Sequence, residues 1–305
     1  MTYGMPTVGD MYAGAGGFSH GFLQAGYDAI WACEWDHNAC QTYRLNHPNT
    51  VVTEGDINKL EPGRYMSPNI LIGGPPCQSF SMAGQRGQLS DPRGQNVITF
   101  TKWVDDLQPD IFIMENVTGM LTAEDEHGTP VPDIVCREFR KSGYQVTYKV
   151  LNAADYGVPQ TRRRVFFIGN RLGRANLFPP PTHSKHKGQR TLLGPPLKPW
   201  ATLHDIGIDE IVVGRSTYNA EDSENQWRHP HEPAPTAMTG PHYTVNEQGE
   251  RQRWLKPSEM SRIQSFPEDF RFAGSSMVTQ NKQIGNAVPP LLARRIAEAV
   301  RGMLE

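Results

Sequence analysis

The sequence predicts an α/β fold, with a mostly parallel sheet covered on both faces and a second, smaller, loop-rich domain. Three observations carry this. Up to Asn170, short apolar runs alternate with segments of helical periodicity. After Asn170 the periodicity gives way to stretches rich in Pro, Gly and His at 178–181, 194–199 and 230–241. Near the end a helix pattern returns, with Leu291, Leu292, Ile296, Val300 and Met303 on one face, so the last helix is expected to pack back on the large domain.

The elements follow in order. A strand over 8–12 runs into Asp10-Met11-Tyr12-Ala13-Gly14-Ala15-Gly16-Gly17-Phe18, a strand end, a glycine turn and a helix start, with the helix over 18–25. A strand over 29–32 leads to Glu34, followed by a helix over 37–46. Further strands are expected at 51–52, 70–72, 111–114, 145–150 and 165–168, with helices at 98–107 and 134–141. Ser258-Glu259 opens a helix over 258–264. These breaks divide the chain into 1–180, 181–257 and a returning segment 258–305.

At 305 residues and 37% hydrophobic, the chain can build a sizeable core. No apolar run approaches the ~20 residues that span a bilayer, and the start, Met1-Thr2-Tyr3-Gly4-Met5-Pro6, has no signal-peptide pattern. Four cysteines without a C-x-x-C pair, and histidines 183, 186, 229, 231 and 242 without ligand spacing, predict reduced thiols, no metal site and a cytoplasmic location. The net charge of −2 argues weakly against a polyanion partner, but its distribution is uneven. Residues 156–204 contain no Asp or Glu yet carry Arg162, Arg163, Arg164, Arg171, Arg174, Lys185, Lys187, Arg190 and Lys198, and Arg251, Arg253, Lys256 and Arg262 follow. Nucleic-acid binders concentrate charge in this way. Charge alone leaves a solvated loop equally open.

The chemistry is concentrated at three places. Gly73-Gly74-Pro75-Pro76-Cys77-Gln78-Ser79-Phe80-Ser81 sets a cysteine in a Gly/Pro turn directly after an apolar strand, as a strand-tip nucleophile is set. The 111–114 strand ends in Glu115-Asn116-Val117, and the 165–168 strand is preceded by Gln160-Thr161-Arg162-Arg163-Arg164. If these runs are neighbouring parallel strands, a thiol, a carboxyl group and two alternate arginines meet at one sheet edge. Singly, each has a bland reading: a buried thiol, a solvated carboxylate, surface charge. At the glycine turn a dinucleotide is one reading, but the third glycine of that fingerprint is Ser19 here. Glu34 for a ribose, with Asp56-Ile57 for a purine, suits a nucleoside.

Together, Asp10 to Gly17, Pro75-Pro76-Cys77-Gln78, Glu115-Asn116-Val117, Gln160-x-Arg162-x-Arg164 and Gln283-Ile284-Gly285-Asn286-Ala287-Val288-Pro289 resemble the ordered motifs of the C5-cytosine DNA methyltransferase family. The stretch from Arg253 through Leu255-Lys256-Pro257 to Phe266-Pro267 is similar to that family's penultimate motif. The resemblance implies a Rossmann-like, class I S-adenosylmethionine-dependent methyltransferase fold. Residues 1–180 would hold catalysis and cofactor, 181–257 target recognition and 258–305 the hinge and return. It implies a DNA (cytosine-5-)-methyltransferase that uses S-adenosyl-L-methionine and double-stranded DNA. It also implies a monomer, in a system that can include a cognate restriction endonuclease.

By the same resemblance, Cys77 adds to C6 of a flipped cytosine and Glu115 bonds N3 and the exocyclic amine, a role that asks for a carboxyl shielded from bulk water. Arg164 holds the base and Arg162 supports the pocket. Cofactor contacts fall to Asp10, Tyr12, Gly14, Gly16, Gly17, Phe18, Glu34, Trp35, Asp56, Ile57, Pro76, Asn96, Asn286 and Val288. DNA contacts fall to Gln78, Ser79, Ser81, Arg93, Arg163, Lys185, Lys187, Arg190, Thr236 and Lys256, with 79–93 as a closing loop. Asn96 and Lys256 depart from the family's usual residues. The short recognition region implies a site of about four or five base pairs. A tRNA cytosine methyltransferase on the same scaffold, a catalytically silent DNA-binding relative and, remotely, a nicotinamide dehydrogenase are the alternatives.

Overall fold

The computed structural model describes residues 4–76, 95–125, 127–186, 188–190, 195–214 and 227–305, together with the backbone but not the side chain of Gln95. Cys77, Gln78, Ser79, Ser81, Arg93 and Lys187 lie outside the described residues, as does the expected closing loop.

The first half alternates as the sequence predicts. Strand β1 (Thr7–Met11) leads to α1 (Gly17–Gln24), β2 (Asp28–Glu34) to α2 (His37–Asn46), then β3 (Val51–Glu54) and β4 (Ile70–Gly73). Next come α3 (Gln95–Leu107), β5 (Ile111–Val117), α4 (Val131–Lys141), β6 (Gln145–Asn152) and β7 (Arg163–Asn170). The seven strands form one sheet in the order β3-β2-β1-β4-β5-β7-β6, so the order reverses between β1 and β4. That crevice is where open α/β sheets bind ligands. Strands β4 and β5 are apolar on both faces because both faces are covered. One core lies on the side of Trp103, Phe100 and Phe139, and the other on the side of Phe22, Phe166 and Ile296.

One expectation fails instructively. Strand β7 is not parallel to β5 but antiparallel, pairing Val117 with Arg164 and Ile111 with Asn170. In a parallel arrangement the residues entering β7 would lie a strand's length from the end of β5. The reversed direction is what brings Arg164 beside Glu115.

The second region is more regular than its loop-rich sequence suggests. After the two-residue strands β8 (His183–Ser184) and β9 (Lys198–Pro199), a four-stranded antiparallel sheet forms from β10 (Ile211–Val213), β11 (Trp227–Arg228), β12 (Tyr243–Val245) and β13 (Arg251–Trp254). Such short strands carry too little alternation to be read from sequence. Helix α5 (Pro257–Ile263) begins as expected, with the Glu259 carboxylate accepting from the Lys256 backbone N–H at 2.7 Å. Helix α6 (Met277–Asn286) was not foreseen as a helix. Met260, Ile263 and Ile284 from α5 and α6 share a core with Leu203, Val212, Ala234 and Leu255, so these helices pack with the smaller sheet. Helix α7 (Pro290–Leu304) returns to the large sheet, where Leu292, Ile296 and Val300 pack with Phe22 and Tyr27.

Candidate active site

The register of the four central parallel strands sets the site in one row. Cys33, Met11, Gly73 and Met114 are paired successively across β2, β1, β4 and β5. The next residue on each strand, at the carboxyl edge, is Glu34, Tyr12, Gly74 and Glu115. With strands about 4.8 Å apart, the row spans roughly 14 Å from the Glu34 end to the Glu115 end.

At the Glu115 end, the carboxylate Oε1 meets Arg164 Nε at 3.0 Å, with both side chains largely buried. Its other oxygen, Oε2, lies over Gly74, where an added Cβ would approach it to 3.2 Å. Oε2 therefore faces the Gly74-Pro75-Pro76 turn that leads into Cys77. Asn116 Nδ2 donates to the Pro75 carbonyl at 3.2 Å, and its Oδ1 accepts from the Val117 N–H at 2.8 Å. Asn116 thus pins the turn from behind. Pro76 is exposed.

Arg162 and Arg164 take different places. Arg162 is 2% exposed, and it donates from Nη1 to the Ala237 carbonyl at 2.8 Å and from Nη2 to the Gly285 carbonyl at 3.0 Å. Its Nε is buried without a hydrogen-bond partner among the described residues. Burial, then the neighbouring Arg164 charge, pushes its pKa well down, while Glu115 opposes. Two glutamines missed as site residues support it. Gln160 donates to the Ile263 carbonyl and to Gln264 Oε1 and accepts from the Ala237 N–H, and Gln264 donates to the Ile284 carbonyl. Both stand in motifs quoted above, but nothing in sequence spacing reveals that they bond each other.

At the Glu34 end, Oε2 accepts from the Gly14 N–H at 2.8 Å, and Oε1 accepts from the Trp35 and Asp36 N–H groups at 2.9 and 2.8 Å. Burial pushes the Glu34 pKa up, and these three N–H bonds oppose it. Gly14 and Gly16 adopt left-handed φ values of 54° and 87°, and a Cβ on Gly16 would strike His47. A Cβ on Gly17 would lie 2.5 Å from the Val288 carbonyl, so the last motif sits directly over the turn, with Asn286 exposed beside it. Tyr12 donates its hydroxyl to the Asn96 carbonyl at 3.0 Å, which brings Asn96 to this end. Trp35 is 76% exposed next to Glu34, Ile57 is buried, and Asp56 Oδ1 caps Asn58 at 3.0 Å.

Several expected contacts are placed elsewhere. The Phe18 ring is in the core, edge-on to Phe22 and Phe166, because the first helical turn points it under the sheet. Asp10 is buried and accepts from Ser19 Oγ at 2.6 Å, so it braces the turn from beneath. Thr236 donates its hydroxyl to the Thr161 carbonyl at 2.6 Å. Arg163, Lys185, Arg190 and Lys256 are exposed.

Burial raises the Asp10 pKa from 3.8 to about 7, with the Glu34 charge adding and Ser19 opposing. The folded protein therefore holds this proton more tightly than the unfolded chain, and the stabilisation fully present below pH 3.8 is lost as pH rises through 7. Asp10→Asn keeps an acceptor for Ser19 without the ionisation. Its stability relative to wild type is expected to rise between these limits by up to about 1.4 kcal/mol per pH unit. Urea unfolding of both proteins at a series of pH values checks this, and a constant difference would refute the burial argument.

A family model described as C-5 cytosine-specific DNA methylase matches residues 7–302. The chain belongs to this family. It is 35% identical to the type II methyltransferase M1.HphI of Haemophilus parahaemolyticus over 96% of this chain and 86% of that one. It is 33% identical to M.DdeI of Desulfomicrobium norvegicum over 97% and 88%. Among solved structures, the fold is similar to DNMT2 of Spodoptera frugiperda, with TM-score 0.69 and 16% identity over 98% of this chain and all of that one, and to S. pombe Dnmt2, with TM-score 0.66 and 18% identity. As a family member the protein is a DNA (cytosine-5-)-methyltransferase using S-adenosylmethionine. The Glu34 end fits that cofactor. Glu34 accepts three N–H bonds yet has about four lone-pair sites, which leaves capacity for a ribose hydroxyl. Exposed Trp35 offers a face, and Gly14, with open space where a Cβ would stand, offers close approach. Among the described residues, no helix is long and apolar enough to cross a membrane.

Proposed function

We propose that the protein methylates C5 of a cytosine flipped out of a short duplex site, through a transient bond between Cys77 Sγ and C6. The observation that carries this reading is the Glu115–Arg164 pair at the carboxyl edge, with Oε2 of Glu115 over the turn that leads into Cys77. When bound, S-adenosylmethionine supplies an electrophilic methyl group on a sulfonium. Glu34, Trp35, Ile57, the 14–17 turn and the 286–288 segment hold it at the other end of the row.

The chain's own groups do the rest. Cytosine C5 is a poor nucleophile, and addition of the Cys77 thiolate at C6 makes the ring enamine-like. Glu115, carrying a proton on the Oε2 that Arg164 does not hold, delivers it to N3 and accepts from the exocyclic amine, which takes up the electron density that the thiolate pushes in. Arg164 keeps the Glu115 carboxyl aimed, and the same guanidinium helps hold the base. After C5 is methylated, water takes its proton, the electron pair left behind expels Cys77 as thiolate, and N3 returns its proton to Glu115, which restores the ring. Flipping costs a few kcal/mol of stacking and pairing, and phosphate contacts from exposed Arg163, Lys185, Arg190 and Lys256 offset it.

We assign catalysis and cofactor binding to 1–180, recognition to 181–257 and the hinge and return to 258–305. The relatives' names point to a type II modification enzyme, working as a cytoplasmic monomer alongside a cognate endonuclease. Incubation of wild type with labelled S-adenosylmethionine and either duplex DNA or tRNA tests the reading. Label on cytosine C5 of duplex DNA is expected. Preferential labelling of tRNA would overturn the substrate, and labelling of neither would favour a binding module.

A further inference from the structure

Residues 234–238 are stitched to the backbone that enters β7. The Ala234 N–H donates to the Pro159 carbonyl at 2.9 Å, and the Thr161 N–H donates to the Ala234 carbonyl at 2.9 Å. The Thr236 hydroxyl donates to the Thr161 carbonyl at 2.6 Å, and the Ala237 N–H to Gln160 Oε1 at 2.9 Å. Arg162 closes the set by gripping the Ala237 and Gly285 carbonyls with one guanidinium fork. From the far side, Gly285 packs so tightly that an added Cβ would lie 2.1 Å from the Met238 carbonyl. Beyond this pinned strip, the Met238 side chain is exposed.

The other end of the same short backbone carries the chemistry. Arg164 follows Arg162 by two residues, pairs with Val117 in the sheet and holds Glu115 at 3.0 Å. An extended strand is stiff along its length, so movement of the strip displaces Arg162, and Arg162 displaces Arg164. We propose that Arg162 is a positioning residue that makes target recognition a condition of attack, by tying the 234–238 strip to the Arg164–Glu115 pair. This rests on the function proposed above and adds a coupling to it. A duplex that seats the strip correctly leaves Glu115 aligned over the turn leading to Cys77. One that seats it wrongly pulls the carboxyl out of line, and misplacement of about 1 Å costs on the order of 100-fold in rate.

Two variants test this. Arg162→Lys keeps a charge and loses the fork, while Thr236→Val removes one stitch and leaves Arg162 untouched. The target site is read from plasmid methylated by wild type. Rates of covalent capture are then measured per active site on 5-fluorocytosine duplexes carrying that site or a single altered base pair, alongside duplex affinity and melting temperature. Arg162→Lys is expected to slow capture on the correct duplex on the order of 100-fold, with affinity close to wild type. Discrimination against the altered duplexes is expected to fall about 10-fold. Thr236→Val should shift both in the same direction by less. Fewer active molecules with unchanged rate and discrimination would mean a merely structural role and overturn the proposal, as would unchanged discrimination in Thr236→Val. If wild type captures nothing, the catalytic reading itself falls and the coupling falls with it.

Discussion

Cys77→Ala is expected to lower methyl transfer by at least about 10,000-fold, because the remaining groups cannot make C5 nucleophilic without an adduct at C6. No other thiol can substitute. Cys33, Cys40 and Cys136 are buried and free. Burial pushes Cys33 and Cys40 up to about 12 and raises Cys136, so none offers a thiolate near neutral pH. Binding should survive, since the Glu34 row and the 14–17 turn do not depend on residue 77. Label transfer to duplex DNA, with cofactor affinity measured in parallel, checks this. Appreciable turnover by the variant would refute the nucleophile.

Glu115→Gln should cost about 100- to 10,000-fold, the range of a lost general acid. The amide fills the same volume over Gly74 but delivers no proton, and it leaves the largely buried Arg164 guanidinium without its carboxylate. The loss should fall on kcat, with KM for DNA changed little, because the row is aligned for reaction more than for duplex affinity. A rise in KM at constant kcat would recast Glu115 as a binding residue.

The large sheet was readable because its strands are short apolar runs separated by helical periodicity, whereas the strand order and its reversal between β1 and β4 are not written in that alternation. The direction of β7 was not, since the run Val165–Ile168 is equally apolar in either orientation; only the pairing of Val117 with Arg164 decides it. Residue types singled out Cys77, Glu115, Arg162 and Arg164, yet they could not say that Arg162 faces the Ala237 carbonyl while Arg164 faces Glu115. Phe18 and Asp10 show that a motif position does not fix where a side chain points. Both stand in the glycine motif, but helix geometry turns one into the core and burial turns the other onto Ser19. The buried glutamine pair Gln160 and Gln264 is a tertiary feature, made by residues 104 apart in the chain.

The central claim is the bond from sulfur to the pyrimidine ring. A duplex carrying 5-fluorocytosine at the target blocks the final elimination, so incubation with cofactor should leave protein and DNA joined through denaturing electrophoresis, with peptide mapping placing the link at Cys77. A wild-type enzyme that methylates ordinary duplex but forms no such complex, or forms it through another residue, would contradict the account.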